Sequence, residues 1–191
     1  SYLGTAYHGW QRQKNGMTIQ ELLETAILKT CGVHTAVSGC GRTDAGVHAA
    51  LYVASARLIT GIPLERLPAA LNARLPHDVV VHQALAVPDT FDARFSCVSK
   101  EYTYLILNQP TRDPFLSGRA WFYPYPLDVG AMAEAAQNLC GEHDFAALMS
   151  AGSPVKSTVR TIHYCQAEQA GERPEGPGLF PDPSARRPLR S

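Results

Sequence analysis

An arginine and an aspartate two residues apart form the pattern in this sequence that most directly suggests chemistry. Arg42 and Asp44 lie in the glycine-rich stretch GCGRTDAGVH, residues 39–48. Glycines let a backbone turn sharply and approach a ligand closely. In an extended segment, side chains two residues apart point the same way, and a cation beside a carboxylate favours its charged form. An ionised aspartate on a tight loop can serve as a nucleophile or a general base.

Taken alone, the loop is also compatible with a structural role. An Arg–Asp pair that closes a turn on the surface would leave the same local pattern, and the local pattern by itself favours such a turn. The stretch lacks the G-K-[ST] ending of a Walker loop and the G-x-G-x-x-G spacing. A hydrolase that used Asp44 as its base would need a second catalytic group, and the sequence around the loop supplies none.

Composition narrows the class of protein. The chain has 191 residues, of which 45% are apolar and 18% charged, so it is not a disordered chain. Seventeen basic residues balance seventeen acidic ones, which argues against binding nucleic acid by bulk charge alone. A local basic groove stays possible, because residues 1–60 hold five Lys or Arg against three acids: Arg12, Lys14, Lys29, Arg42, Arg57 against Glu21, Glu24, Asp44.

The cysteine pattern and the chain start point to a cytoplasmic protein. Five cysteines lie far apart with no C-x-x-C, which indicates reduced, buried thiols rather than a disulfide framework or a zinc site. The longest near-apolar stretch, 49–56, is too short to span a bilayer. No signal-peptide pattern is visible at the start, and we expect residues to be missing before Ser1.

The elements that must position the loop can be predicted from spacing. Thr18 and Glu21 form a capping box ahead of a helical apolar face, and Gly32 is a C-terminal stop. Pro68 is expected to begin a second helix. The remaining predictions are strands at 35–38, 48–58, 78–87, 97–107 and 157–166, a helical stretch at 63–75, a loop at 109–126 and a helix from Asp128 to Gly141.

This element order predicts an α+β protein. The first half reads β-α-β-β-α-β, as in a ferredoxin-like split unit, and the second half reads as an incomplete β-α-β copy. The predicted domains are an N-terminal half at 1–96 with the loop and a partial C-terminal half at 97–170. A tail at 171–191, rich in Pro, Gly and Arg, is predicted to be disordered.

Six short segments, one of which lies in the loop, form a sequence pattern that extends along most of the chain. They are YHGWQRQ at 7–13, GRTDAGVH at 41–48, FDARFS at 91–96, KEYTY at 100–104, GEHDF at 141–145 and VRTI at 159–162. Together they resemble the tRNA pseudouridine synthase A family, from about Tyr2 to about Gln166. The GRTDAGVH block is highly specific, and the other segments are individually weaker.

The resemblance implies a fold, a reaction and a partner. The fold would be a pseudouridine-synthase fold of two ferredoxin-like or RRM-like halves, whose antiparallel sheets form a central cleft, with the second half incomplete here. The reaction would be isomerisation of uridine to pseudouridine in the anticodon stem-loop of tRNA, at nucleotides 38 to 40, with no cofactor and no metal. The protein would be a cytoplasmic homodimer, with one tRNA touching both subunits.

The resemblance also implies roles for individual residues. Asp44 matches the catalytic aspartate, and Arg42 matches the arginine that displaces the target nucleotide and pairs with that aspartate. Tyr102 matches the tyrosine that packs on the target base and is a candidate acceptor of the C5 proton. The base must leave its stack before the reaction, because its reacting faces are hidden in the helix.

Further residues are candidates for binding RNA, each with a simpler alternative. Arg12 and Lys14 could contact phosphates or be solvated charges, and Trp10 is as compatible with a core anchor as with a stacking platform. Arg94 and Arg160 match family positions, and an ion pair would account for Arg94 equally well. His48 is expected to be a hydrogen-bonded structural residue and Tyr104 a packing residue: neither is assigned to catalysis.

The sequence departs from the family in one place. Family members continue after the strand near Arg160 with another strand and a long helix that carries a Met-Val-Arg block, whose arginine holds the catalytic aspartate. That block is absent here, and the tail stands in its place, which suggests a truncation or a reading-frame change near residue 170. The alternative function is therefore a catalytically impaired or inactive fragment that only binds tRNA.

Overall fold

The computed structural model describes residues 1–149 and 157–170. The tail at 171–191, predicted to be disordered, lies outside the described residues. The described chain forms two compact units. The first comprises Ser1–Ile106 and Asp113–Trp121, and the second comprises Leu107–Arg112 and the described residues from Phe122 onward. The predicted domain boundary after residue 96 stays a prediction.

Three α-helices, three short 3-10 helices (Gly4–Ala6, Pro114–Leu116 and Ala146–Leu148) and six strands make up the regular structure of the described residues. The helices are α1 (Ile19–Cys31), α2 (Leu67–Asn72) and α3 (Val129–Gln137). The strands are β1 (Val37–Gly39), β2 (Ala54–Ala56), β3 (Ile106–Leu107), β4 (Trp121–Phe122), β5 (Gly141–Asp144) and β6 (Val159–Ile162). They pair as three two-stranded sheets, of which β1–β2 and β5–β6 are antiparallel. The mixed α+β class is as predicted, whereas the arrangement of two halves around a cleft stays a prediction.

Helix α1 confirms the capping signals in the sequence. The Thr18 hydroxyl accepts a hydrogen bond from the Glu21 N–H at 3.4 Å, and Thr18 is fully buried. At the other end, Gly32 takes the left-handed conformation with φ 72°. The apolar face buries Ile19 and Ile27 in the core, so local signals and burial agree on this helix. Helix α2 likewise begins beside Pro68, as predicted.

The start of the chain lies in the middle of the first unit. Tyr2 exchanges two backbone hydrogen bonds with Ala49, at 2.9 and 3.0 Å, and also bridges Val79. The predicted strand at 78–87 is thus confirmed only around Val79. The core that surrounds this pairing consists of Tyr2, Tyr7, Trp10, Ile19, Ala26, Ile27, Val37, Leu67, Leu71 and Val79. Residues 1–3 therefore join two distant segments of the unit, and this pairing brings the loop at 39–48 against the core.

Two predicted strands are shorter than expected. The stretch 48–58 is a strand only at Ala54–Ala56, and 97–107 only at Ile106–Leu107. The physical reason is that a strand needs a partner, and no strand among the described residues pairs with 97–104: the backbone hydrogen bonds to β4 begin at Leu105. Tyr104 is consequently 87% exposed, so the prediction that it packs in the core is wrong.

The second unit contains α3 and the β5–β6 ladder. Asp128 caps α3 as predicted, accepting a hydrogen bond from the Ala131 N–H at 2.9 Å. The helix ends at Gln137, and Gly141, with φ 99°, begins β5 instead of terminating the helix. The region 109–126, predicted as a loop, contains β4. Across the described residues, no helix combines the length and apolar character needed to cross a membrane.

Removing the α1 cap tests whether this local signal stabilises the unit. We expect Thr18→Val, which keeps the side-chain volume and removes the hydroxyl, to lower the free energy of unfolding by about 1 kcal/mol. The Glu21 N–H would lose its partner in a buried place. The measurement is urea unfolding followed by far-UV circular dichroism. Thr103→Val, at an exposed position, is the control, and equal midpoints for the two variants would contradict the prediction.

Candidate active site

Four aromatic residues from three segments support the Arg42–Asp44 loop, and we call them the aromatic platform: Tyr2, Tyr7, Trp10 and Tyr52. The Tyr2 hydroxyl hydrogen-bonds the Thr43 Oγ1 at 2.9 Å, and the Tyr52 hydroxyl donates to the Gly41 carbonyl. Backbone bonds complete the support: Trp10 N–H donates to the Thr43 carbonyl at 3.0 Å, and Gly46 N–H donates to the Tyr7 carbonyl at 3.2 Å. The loop is therefore held along its length from one side.

The rings of the platform are packed against one another. Trp10 stacks on Tyr52 with 4.2 Å between ring centroids, and Tyr2 lies 5.6 Å from Tyr52 in a tilted arrangement. Burial raises the pKa of the Tyr52 hydroxyl, and burial together with a hydrogen bond to Asp78 raises the pKa of Tyr7. Both hydroxyls thus stay protonated near neutral pH and keep their donor roles. The rings of Tyr2, Trp10 and Tyr52 thus form one packed, uncharged support for the loop.

Glycine at position 9 allows the loop to approach the platform. Gly9 has φ 83°, and a Cβ at this position would lie 2.3 Å from the Thr43 carbonyl oxygen. A Cβ on Gly4 would lie 2.0 Å from the Val47 carbonyl oxygen. A side chain at either position would overlap the loop backbone, so the segments that carry Gly4 and Gly9 pack directly against the loop.

The carboxylate of Asp44 is exposed on this loop. Its backbone carbonyl accepts a turn hydrogen bond from Val47 N–H at 3.2 Å, while its side chain is exposed. No hydrogen bond or ion pair to its carboxylate occurs among the described residues. Arg42 is also exposed, and the expected Arg42–Asp44 ion pair is not formed in this structure. The loop thus presents an unpaired carboxylate and an unpaired guanidinium on a fixed backbone.

His48 is structural, as predicted from the sequence. Its Nδ1 accepts a hydrogen bond from Gly4 N–H at 2.9 Å, which places the ring proton on Nε2. Nε2 then donates to the Gly118 carbonyl at 2.7 Å. Since both ring nitrogens are engaged by backbone groups, His48 is not available as a base for Asp44 chemistry.

The FDARFS segment forms a turn beside β2. The Asp92 carboxylate accepts hydrogen bonds from the N–H groups of Arg94 and Phe95 at 2.8 and 3.2 Å, and Ala93 N–H donates to the Ser55 hydroxyl. Burial alone would raise the pKa of Asp92, but these backbone hydrogen bonds outweigh it and lower the pKa. The Arg94 guanidinium is exposed over the Phe95 ring, 5.4 Å from its centroid. The alternative of an ion pair for Arg94 is not seen among the described residues.

The remaining RNA-binding candidates of the first unit differ in burial and in ion pairing. Trp10 is 4% exposed, so the expectation that it could stack on RNA is corrected: it is a core anchor, because its ring is buried against Tyr52. Arg12 forms a salt bridge with Glu24 at 2.8 Å, which uses part of its charge. Lys14 is exposed at the tip of the short hairpin in which Gln13 pairs with Gly16.

In the second unit, the GEHDF and VRTI segments form the β5–β6 ladder. Thr158 donates to the Asp144 carboxylate at this ladder, and that hydrogen bond is the largest cause of the lowered pKa of Asp144. The Arg160 guanidinium donates to the backbone carbonyls of Ser157 and Val159 at 2.8 and 2.6 Å. Arg160 is therefore engaged locally, and its contact with RNA stays a prediction.

Tyr102 is 68% exposed and makes no hydrogen bond or ring contact among the described residues. Its ring is available, but the structure places no partner on it. Sequence reasoning overlooked Tyr2 and Tyr52 as supports of the loop. The signal that could have found them is the presence of aromatic residues flanking a glycine-rich loop that has no regular structure of its own. No cluster of three or more His, Cys, Asp or Glu side chains that could hold a metal occurs in the described part of the chain.

Comparison with known proteins gives a consistent picture. A sequence model of a family described as tRNA pseudouridine synthase matches residues 1–96 and 135–177. A tRNA pseudouridine synthase A of Thermoanaerobacter sp. (strain X514) is 48% identical over 168 residues, which cover 88% of this chain and 69% of that protein. The protein of that name from Methylacidiphilum infernorum (isolate V4) is 49% identical over 166 residues, 86% of this chain and 65% of that protein. The chain thus spans about two thirds of the length of these relatives.

Adding a methyl group at Gly9 tests the close approach of loop and platform. We expect Gly9→Ala to lower the free energy of unfolding by about 2–5 kcal/mol, the sum of left-handed backbone strain and steric overlap with Thr43. Denaturant unfolding measures the loss, and ¹⁵N–¹H spectra should show shifts centred on Thr43 and Asp44. Gly61→Ala is the matched control, because nothing lies within 4 Å of a Cβ there. Equal stability of the two variants would refute the overlap.

Proposed function

Because this chain belongs to the tRNA pseudouridine synthase A family, a family of isomerases, we propose that it converts uridine to pseudouridine in tRNA. The proposed target is the anticodon stem-loop, at nucleotides 38 to 40. The observation that carries the proposal is the Asp44 carboxylate: it stands exposed and unpaired on a loop whose backbone is bound on one side by the aromatic platform.

The chemistry requires one positioned carboxylate and an accessible base. The N1–C1′ bond breaks, the detached uracil turns, and a C5–C1′ bond forms. The C5 proton then leaves, and N1 ends with a proton. No oxidant or reductant is consumed, since the product is an isomer of the substrate. The target base must first leave its stack, at a cost of a few kcal/mol.

In the proposed mechanism, Asp44 acts at the ribose. Its carboxylate either attacks C1′ as the N1–C1′ bond breaks, giving a covalent adduct from which C5 of the uracil then displaces it, or removes the 2′ proton as the uracil leaves, giving a glycal that takes the proton back at C2′ when the C5–C1′ bond forms. Both routes need an ionised carboxylate with free oxygens, and both gain from a fixed position near the sugar. The hydrogen bonds from Tyr2 and Tyr52 to the loop support such a position without occupying the carboxylate.

Arg42 and Tyr102 are proposed to handle the extruded nucleotide. The unpaired Arg42 guanidinium would take part in displacing the base and then pair with Asp44. The exposed Tyr102 ring would stack on the uracil, a contact that tolerates any base because each has a π-face. Its hydroxyl is the candidate acceptor of the C5 proton.

RNA contacts outside the loop are proposed from exposed cations. Lys14, Arg94 and Arg160, with the part of Arg12 that Glu24 leaves free, would contact phosphates and position the stem. We further propose a homodimer acting in the cytoplasm, where one tRNA would touch both subunits. These assignments rest on the family resemblance and on the exposure of the cations.

A second candidate function is tRNA binding without isomerisation. One observation favours it: Arg42 and Lys14 are exposed and form no ion pair among the described residues, so they would attract RNA whether or not Asp44 reacts. Such a protein would bind tRNA with a steep salt dependence and form no pseudouridine. Mapping pseudouridine in tRNA incubated with the wild-type chain separates the two functions.

Replacing the carboxylate tests the assignment of Asp44. We expect Asp44→Asn to reduce pseudouridine formation in unmodified tRNA below detection while leaving tRNA affinity within about twofold, since an amide can neither attack C1′ nor take the 2′ proton. Asp89→Asn, at an exposed turn, is the matched control and should keep wild-type activity. Equal product from wild type and Asp44→Asn would remove Asp44 from the mechanism.

Removing the Tyr102 ring tests its proposed stacking role. Stacking of a base on an aromatic ring contributes about 1–3 kcal/mol, so Tyr102→Ala should slow single-turnover pseudouridine formation by roughly 5- to 150-fold. Tyr104→Ala removes another exposed ring two residues away, and should have little effect. Tyr102→Phe separates stacking from proton transfer: full activity would assign the residue to stacking alone. A normal rate for Tyr102→Ala would contradict both roles.

A further inference from the structure

Lys100 lies directly over the glycine that precedes Arg42. A Cβ placed on Gly41 would lie 2.6 Å from the Lys100 Nζ, 3.1 Å from its Cε and 3.8 Å from its Cδ. The outer part of the lysine side chain therefore occupies the space that the missing side chain of Gly41 leaves open. The ammonium therefore lies beside the loop backbone at Gly41, two residues before Thr43 and three before Asp44.

The Lys100 ammonium has no counter-ion among the described residues. The salt bridge found there joins Arg12 to Glu24, and neighbouring Glu101 does not pair with Lys100. Without an acidic partner, the Lys100 ammonium forms no salt bridge that could stabilise the fold. Ion pairing within the described chain therefore does not account for the position of Lys100.

Three other cations of the described chain are engaged by protein groups. Arg12 is paired with Glu24, Arg160 donates to the backbone carbonyls of Ser157 and Val159, and Arg112 lies over the Phe122 ring, 4.8 Å from its centroid. Lys100 and Arg42 have none of these three kinds of partner among the described residues, and both are exposed. The unpaired Lys100 ammonium thus lies beside the loop that also carries the unpaired Arg42 guanidinium and the free Asp44 carboxylate.

We propose that Lys100 binds a backbone phosphate of the RNA next to the nucleotide that reacts at Asp44. A lysine ammonium is a compact point charge that suits a phosphodiester, whereas it reads base identity poorly. A phosphate held at Gly41 would fix the sugar–phosphate backbone on one side of Asp44 while the base turns outward. The inference rests on the proposed function and adds a phosphate site to it, with Lys100 as a positioning residue.

Salt dependence of binding is the readout that a purely structural role would not change. Each phosphate contact adds roughly 0.7–0.9 to the slope of log affinity against log salt concentration. For Lys100→Met we expect weaker binding of unmodified tRNA, roughly 5- to 10-fold at about 0.1 M salt, and a slope smaller by about one contact. Lys100→Arg should restore both. Lys29→Met is the matched control, because Lys29 is an exposed lysine in the last turn of α1.

A second variant moves the ammonium without removing the charge. Gly41→Ala places a methyl group 2.6 Å from the lysine nitrogen, and the flexible end of the side chain must shift away. We expect Gly41→Ala to weaken tRNA binding in the wild-type background and to cause no further weakening in the Lys100→Met background. Additive losses in the double variant would mean that Gly41 acts independently of Lys100, which would count against the site.

The outcomes separate this inference from the proposed function. A wild-type chain that binds tRNA, together with a Lys100→Met variant of unchanged affinity and salt slope, would overturn the phosphate site and leave the proposed function standing. A wild-type chain that fails to bind tRNA would overturn both. Reduced affinity with a reduced slope, restored by Lys100→Arg and absent in Lys29→Met, would support the site.

Discussion

The structure of the first unit depends on how a glycine-rich loop without regular structure satisfies its backbone polar groups. The aromatic platform supplies the partners: two tyrosine hydroxyls and two main-chain groups bind the stretch from Gly41 to Gly46. A buried backbone group without a partner would destabilise the unit. The platform therefore determines both the stability of the loop and the direction in which it presents Arg42 and Asp44.

In this arrangement, the groups that stabilise the fold differ from the carboxylate that is proposed to react. Tyr2 lies at the centre of the core, bonded to Ala49 and bridged to Val79, so disruption of the platform would also disrupt the pairing of the chain start. Asp44 contributes only its backbone to the fold, and its carboxylate is left free. On a loop whose backbone is otherwise well bonded, a side chain that does not stabilise the fold is expected to act on a substrate.

The charged side chains also divide into those that protein groups engage and those that are left free. A net charge of zero does not describe the surroundings of the loop, where Arg42 and Lys100 are unpaired. Arg12 and Arg160, elsewhere in the chain, are engaged by protein groups. Electrostatic attraction of RNA depends on local and unpaired charge, so the position of the free cations matters more than their total number. The proposed phosphate site at Lys100 follows from that position.

Short-range information in the sequence was sufficient for some features. The Thr18 cap, the Gly32 stop, the Asp128 cap and the helix beginning at Pro68 were predictable because each depends on a few neighbouring residues. The motif set also identified the loop and Asp44, and with them the family, since their residue types carry the signal. The structural role of His48 was predicted as well, and its two hydrogen bonds agree.

Features that depend on distant partners were decided only by the tertiary structure. The stretch 97–107 forms a strand of only two residues, because a ladder needs a second strand and 97–104 has none among the described residues. Likewise, residue type does not tell whether an aromatic ring faces the core or a ligand: Trp10 is buried against Tyr52, whereas Tyr102 is exposed.

The sequence by itself determined the family and the residues proposed to carry the chemistry. Long-range packing decided what supports the loop and which charges stay free, because burial and pairing are properties of the whole folded unit.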